Sequence, residues 1–152
     1  MSAERKAQKL MGAGWLCAES VLMAVTRARG LESPLIPRMA TAFCSGLSRT
    51  CGTCGAVSGG ILAISLLAGR DTPERELLDL AYAPTQEFVE GFLAAYESLN
   101  CFDITGCDFR TPEGQARYKE TNLKETCLEC VVLATRLALQ ALENSGNGQA
   151  RP

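Results

Sequence analysis

Two cysteines three residues apart open the stretch CGTCGAVSGG, residues 51–60. A Cys-x-x-Cys pair of this kind is a redox dithiol, half of a metal clamp, or two small buried side chains in a tight turn. Six further cysteines stand at 17, 44, 101, 107, 127 and 130, and the chain holds no histidine. Cys-His and Ser-His nucleophilic sites, histidine-containing zinc sites and His-ligated haem are therefore excluded within this chain. Thiols are left as the main candidates for chemistry. In a reducing compartment they are catalytic, metal-bound or buried rather than permanently paired.

Cys54 falls where a helix should begin. Unpaired N–H groups and the helix dipole stabilise a thiolate there, so Cys54 is the candidate low-pKa nucleophile. Cys51 lies within reach as a resolving thiol if Gly52 allows a tight turn. With eight cysteines in 152 residues, the spacing alone is a weak signal. Cys127 and Cys130 repeat it inside a helical segment, where two adjacent-turn sulfurs share a metal more readily than they form an unstrained disulfide. Cys17 reads as a mid-helix core residue, Cys101 as an accessible thiol at the start of a loop, and Cys44 and Cys107 as filler. Gly55 and Gly59 share a helix face and leave room for another backbone. No Lys-Ser/Thr follows these glycines, which argues against a phosphate-binding loop. No pair of carboxylates invites an acid–base role.

The elements that must position these thiols are helical throughout. Apolar periodicity predicts a first helix over Ala3–Arg29, with Trp15, Ala18, Leu22 and Val25 on its core stripe. Gly30 ends it, and Ser33-Pro34 starts a second helix running to Phe43. Residues 45–50 read as a loop. A third, apolar helix covers Cys54 to Leu67, and Thr72-Pro73 caps a fourth that must kink or break at Pro84. Phe88, Phe92, Ala95 and Leu99 mark the next stripe. Residues 100–114 read as an ordered loop, and a last helix covers Tyr118 to Glu143. The expected architecture is all-α, a single compact bundle of five or six helices over residues 1–145, with residues 146–152 as a flexible tail.

Composition narrows the partners. The net charge is −2, with both signs interspersed, so neither a nucleic-acid footprint nor a polybasic membrane anchor is present. The most apolar run, residues 56–69, is shorter than the roughly 20 residues a spanning helix needs. The first residues lack the apolar core of a secretory signal. A cytoplasmic protein is the working expectation. A glycine-faced apolar helix is compatible with a homodimer, though nothing in the sequence demands one.

Four strings taken together resemble a family labelled by its cysteine pattern, C_GCAxxG_C_C: LCAESVLMAV around Cys17, GTCGAVSGG around Cys54, NCFDITG around Cys101 and TCLECVV around Cys127. One departure is local. The label places glycine before the second cysteine and alanine after it, whereas Thr53 precedes Cys54 and Gly55 follows. Carried over by position, the family cysteines are Cys17, Cys54, Cys101 and Cys127, with Cys130 where members often have a further one. Cys44, Cys51 and Cys107 look like extras. The resemblance implies a redox-active protein in which the partner of Cys54 is distant in sequence. Two functions fit it. One is thiol–disulfide or electron-transfer chemistry, with Cys54 as nucleophile and Cys17, Cys101 or Cys51 resolving, acting with a redox partner the sequence does not identify. The other is an iron–sulfur cluster or zinc held by Cys17, Cys54, Cys101 and Cys127, with Cys130 nearby. A purely structural helical protein with buried cysteines is the third reading.

Overall fold

A computed structural model describes residues 1–146. The predicted tail, apart from Gly146, lies outside the described residues. Eight right-handed α-helices form the fold: α1 (Ala3–Gly12), α2 (Cys17–Ala28), α3 (Leu35–Ala40), α4 (Gly55–Ala68), α5 (Asp79–Tyr96), α6 (Cys101–Thr105), α7 (Pro112–Glu120) and α8 (Leu123–Asn144). The all-α class holds, and the helix number exceeds the five or six expected. No described helix is long and apolar enough to cross a membrane.

The largest correction lies at the start of the chain. One helix over Ala3–Arg29 was expected, but the chain breaks between Gly12 and Cys17. Gly14 turns the backbone at φ +101°, a conformation open to glycine at little cost. The second helix then starts afresh, with the Glu19 carboxylate accepting the Leu16 N–H at 2.9 Å. Trp15, expected on the core stripe, is 39 % exposed in this link. Periodicity runs through the break because both helices pack against each other and against α8. The consequence is large: Cys17 is the first residue of a helix, not a mid-helix core residue.

Two further boundaries differ. Pro84 neither breaks nor kinks the chain into two helices, for α5 runs through it unbroken. The missing N–H costs a backbone hydrogen bond, but Pro84, Phe88 and Phe92 are all buried along this helix. Burying each aromatic ring contributes about 1.5–3 kcal/mol, enough to offset one lost bond. The predicted last helix is two. Helix α7 starts from Thr111, whose hydroxyl accepts the Gly114 N–H at 3.0 Å, and ends before the long α8.

Helices α2, α4 and α8 form the centre, flanked by α1 and α5. Every residue of α2 from Ala18 to Thr26 is buried. The closest approach is between α2 and α4. A Cβ on Gly59 would stand 2.5 Å from the Ala18 carbonyl oxygen and 2.9 Å from its Cα. The glycine face expected on α4 therefore receives the first turn of α2.

Residues 45–50 are not an irregular loop. Ser45, Gly46, Leu47, Ser48 and Arg49 all have φ between +56° and +68°, which makes one turn of left-handed helix. Left-handed geometry costs roughly 1–2 kcal/mol per non-glycine residue. Such a run persists only where its surroundings impose it. Here it lies directly against the cysteines.

Candidate functional site: a cavity lined by five cysteines

Three of the cysteines stand at helix starts. Cys17 is the first residue of α2, Cys54 is the residue before α4, and Cys101 is the first residue of α6. A short antiparallel pairing sets two of them side by side. The Cys54 N–H donates to the Leu99 carbonyl at 2.7 Å, the Cys101 N–H donates to the Gly52 carbonyl at 2.9 Å, and Thr53 pairs with Asn100. Cys127 and Cys130 approach from α8 on adjacent turns. The five line one cavity of about 250 Å³, together with Ser45, Tyr118 and apolar side chains.

The sulfurs differ in acidity, and neighbouring groups explain why. Cys44, whose thiol donates to the Ala40 carbonyl at 3.7 Å, is the neighbour that favours the charged form of Cys17 most, and the N–H groups of Ser45 and Ala18 add to it. Together they outweigh burial and lower Cys17 to about 7. Cys54 is lowered by a hydrogen bond from Cys130, with help from the Ala56 and Val57 N–H groups at the start of α4. Their partners pay the opposite shift. Cys44 and Cys130 are held far above the usual thiol range, first by their neighbours Cys17 and Cys54 and then by burial. Cys101 and Cys127 are pushed up to about 12, chiefly by burial and then by the nearby sulfur charges. Tyr118 hydrogen-bonds Cys127, and Tyr96 hydrogen-bonds Cys130.

All eight cysteines are free thiols. In each of two pairs one sulfur is made more acidic and its neighbour less so: Cys17 with Cys44, and Cys54 with Cys130. Cys51, expected beside Cys54 as its local resolver, does not line the cavity. It sits at φ +59°, and the Arg110 guanidinium, itself paired with Asp108 at 2.7 Å, donates to its sulfur at 3.8 Å. Desolvation, then the Asp108 charge, raises its pKa. Cys107 is buried and also lies away from the cavity lining.

A C_GCAxxG_C_C family model, described as "Putative redox-active protein (C_GCAxxG_C_C)", matches residues 15–141. The chain belongs to the C_GCAxxG_C_C family. No curated protein and no solved structure matches it. Cys17, Cys54, Cys101 and Cys127, the four cysteines expected from the sequence resemblance to carry the family pattern, all line the same cavity, and so does Cys130.

The donor set is all sulfur, which chemically suits an iron–sulfur cluster or zinc. Zinc needs four ligands about 2.3 Å from one ion. Among the described residues, no three cysteine, aspartate or glutamate side chains converge closely enough for a metal ion. The expected zinc reading therefore finds no ready site. The sulfurs instead stand around an open space.

Cys44 is the functional candidate that sequence reading passed over as filler. Its position follows a 3-10 turn and precedes the left-handed turn, so no periodicity carries it toward Cys17. Arg49, Tyr96, Tyr118 and Lys119 were also missed. Each looks like an ordinary surface or helix residue until the chain is folded.

Proposed function

We propose that this protein is a thiol–disulfide redox protein whose working groups are two dithiols, Cys17–Cys44 and Cys54–Cys130. The observation that supports this most is the pairing itself. Each acidified sulfur neighbours a second thiol that stays protonated. A thiolate attacks a disulfide, and an adjacent thiol then resolves the mixed disulfide. Cys17 is the more exposed of the two acidified residues and is the nucleophile of this reading. Cys54 keeps the nucleophile role first assigned to it, within the inner pair, with Cys130 rather than Cys51 or Cys101 as its resolving partner. A cytoplasmic setting suits thiols that must be kept reduced.

The test is equilibration in redox buffers of graded potential, followed by alkylation and peptide mass mapping. The expected products are the Cys17–Cys44 and Cys54–Cys130 disulfides, each formed in folded protein. Folded protein that forms neither under oxidising buffer would sink the reading.

A second reading rests on the cavity. Cys101 and Cys127 belong to neither dithiol, yet they face the same space as Cys17, Cys54 and Cys130. An iron–sulfur cluster held by thiolates from this set would supply one-electron transfer. Anaerobic purification with metal analysis and a visible spectrum separates the two readings. Colourless, metal-free, fully folded protein removes the cluster.

A further inference from the structure

The thiol chemistry leaves two lining residues unused. Arg49 and Lys119 both line the cavity, and no aspartate or glutamate does. In a chain of net charge −2, that local excess of cations is against the average. Both side chains are exposed, so they stand at the rim rather than in the wall. Neither is in an ion pair among the described residues. The lining also includes the apolar side chains of Met11, Leu16, Ile104 and Phe109.

The route by which Arg49 reaches the rim is unusual. It is the last residue of the left-handed turn, at φ +68°. The same turn offers the Ser45 N–H to the Cys17 sulfur. One costly backbone segment thus places both a donor on the nucleophile and a cation at the entrance. Helices α2 and α4 also direct their N-terminal ends, with their partial positive charge, at this space.

We infer that the cavity receives a low-molecular-weight disulfide bearing carboxylates, with its sulfurs against Cys17 and its carboxylates at Arg49 and Lys119. This rests on the thiol–disulfide reading above and names its substrate class. The volume agrees with a small molecule. At about 250 Å³ the cavity lies just below the roughly 300–1,000 Å³ of ordinary ligand pockets. A volume of this size suits one arm of a small disulfide.

The chemistry balances without a cofactor. The Cys17 thiolate attacks one sulfur of RS–SR. A Cys17–SR bond forms, the RS–SR bond breaks, and RS⁻ leaves, taking the proton of Cys44 to become RSH. The Cys44 thiolate then attacks the Cys17 sulfur. The second RS⁻ departs and takes a proton from water. Two electrons pass from the two cysteines to the substrate, which is reduced to two RSH, while Cys17–Cys44 becomes a disulfide. A dithiol reductant returns it to the starting state.

The experiment uses the reduced full chain and three symmetric disulfides: dithiodipropionate (anionic), bis(2-hydroxyethyl) disulfide (neutral) and cystamine (cationic). Each second-order rate is divided by that disulfide's rate with a small free thiol, which removes intrinsic reactivity. The expected normalised rates favour the anionic over the cationic disulfide by about tenfold or more, and added salt narrows the gap. In the double variant Arg49→Gln/Lys119→Gln the ratio collapses toward one. Arg49→Lys, with the charge kept, retains it and controls for folding at the strained turn. Equal normalised rates for all three disulfides overturn the substrate inference while leaving thiol–disulfide chemistry in place. The same holds for a ratio unchanged in the double variant. Failure to reduce even the neutral disulfide overturns both.

Discussion

Cys44 neighbours Cys17, its thiol donating to the Ala40 carbonyl at 3.7 Å, and it stands just before a turn of chain in which five consecutive residues are left-handed. Cys17 and Cys44 are far apart in sequence, and only Cys17 is expected to carry the family's cysteine pattern. Cys44 is the largest cause of the acidity of Cys17.

Removing this neighbour should therefore change reactivity before it changes fold. In Cys44→Ala, Cys17 loses the neighbour that most favours its charged form, and its pKa moves up toward the ordinary thiol value. Alkylation of Cys17 at pH 7, followed by mass spectrometry, should slow on the order of tenfold, the change one pKa unit produces. Cys44→Ser keeps a donor and should slow it less. An unchanged rate in Cys44→Ala would show that the Ser45 and Ala18 N–H groups alone set the acidity.

The pH profile separates the thiols of one cavity. With a pKa of about 7, Cys17 is mostly thiol below pH 6 and mostly thiolate above pH 8, so its alkylation rises through neutrality and then levels. Cys101 and Cys127, pushed up to about 12, stay protonated across that window. The titratable groups that share the cavity with Cys17 are the sulfurs of Cys54, Cys101, Cys127 and Cys130, the Tyr118 hydroxyl, and the side chains of Arg49 and Lys119. Residue-resolved alkylation between pH 5 and 10 should find Cys17 reacting first and Cys101 and Cys127 last. Simultaneous labelling of all three would contradict the assignment.

Gly55 lies under the Cys17 sulfur. A methyl group there would collide with the Cys17 sulfur and stand 3.2 Å from the Phe43 carbonyl oxygen. Gly55→Ala should displace the sulfur from its donors, so that Cys17 alkylation at pH 7 falls while helical content by circular dichroism is largely kept.

At Gly59 the same change meets backbone, not a movable side chain. Its Cβ would meet the Ala18 carbonyl oxygen and Cα, and the α2–α4 contact would have to open. Overpacking of this kind costs typically 1–3 kcal/mol. Gly12 is the control, since a Cβ there meets nothing within 4 Å. Denaturant melts should show Gly59→Ala clearly destabilised and Gly12→Ala neutral or slightly stabilised.

Gly46 tests the left-handed turn. It has φ +66°, and a Cβ would stand 2.6 Å from the Cβ of Cys101. Gly46→Ala should lose at least the roughly 1–2 kcal/mol of left-handed strain, read as a lower urea midpoint. Near-wild-type stability would mean that the turn is not held in this form.

By itself, the sequence determined the all-α class, the presence of the apolar helix after Cys54, the close approach at Gly59, and the exclusion of histidine chemistry. These follow from local quantities: periodicity, residue type and the absence of a side chain. It also supplied the four cysteines expected to carry the family pattern, because their order along the chain is itself a sequence property. What only the tertiary structure decided is which thiol meets which. The break at Gly14 makes Cys17 a helix start, and helical periodicity cannot see a break when both halves pack against α8. The left-handed turn brings Cys44 and Ser45 to Cys17, and brings Arg49 to the rim. No local preference predicts that turn, since four of its five residues are not glycine and adopt it at a cost. Cys51 faces Arg110 and Asp108 for the same reason: a spacing of three sets a distance along the chain, while direction in space is set by the backbone angles between.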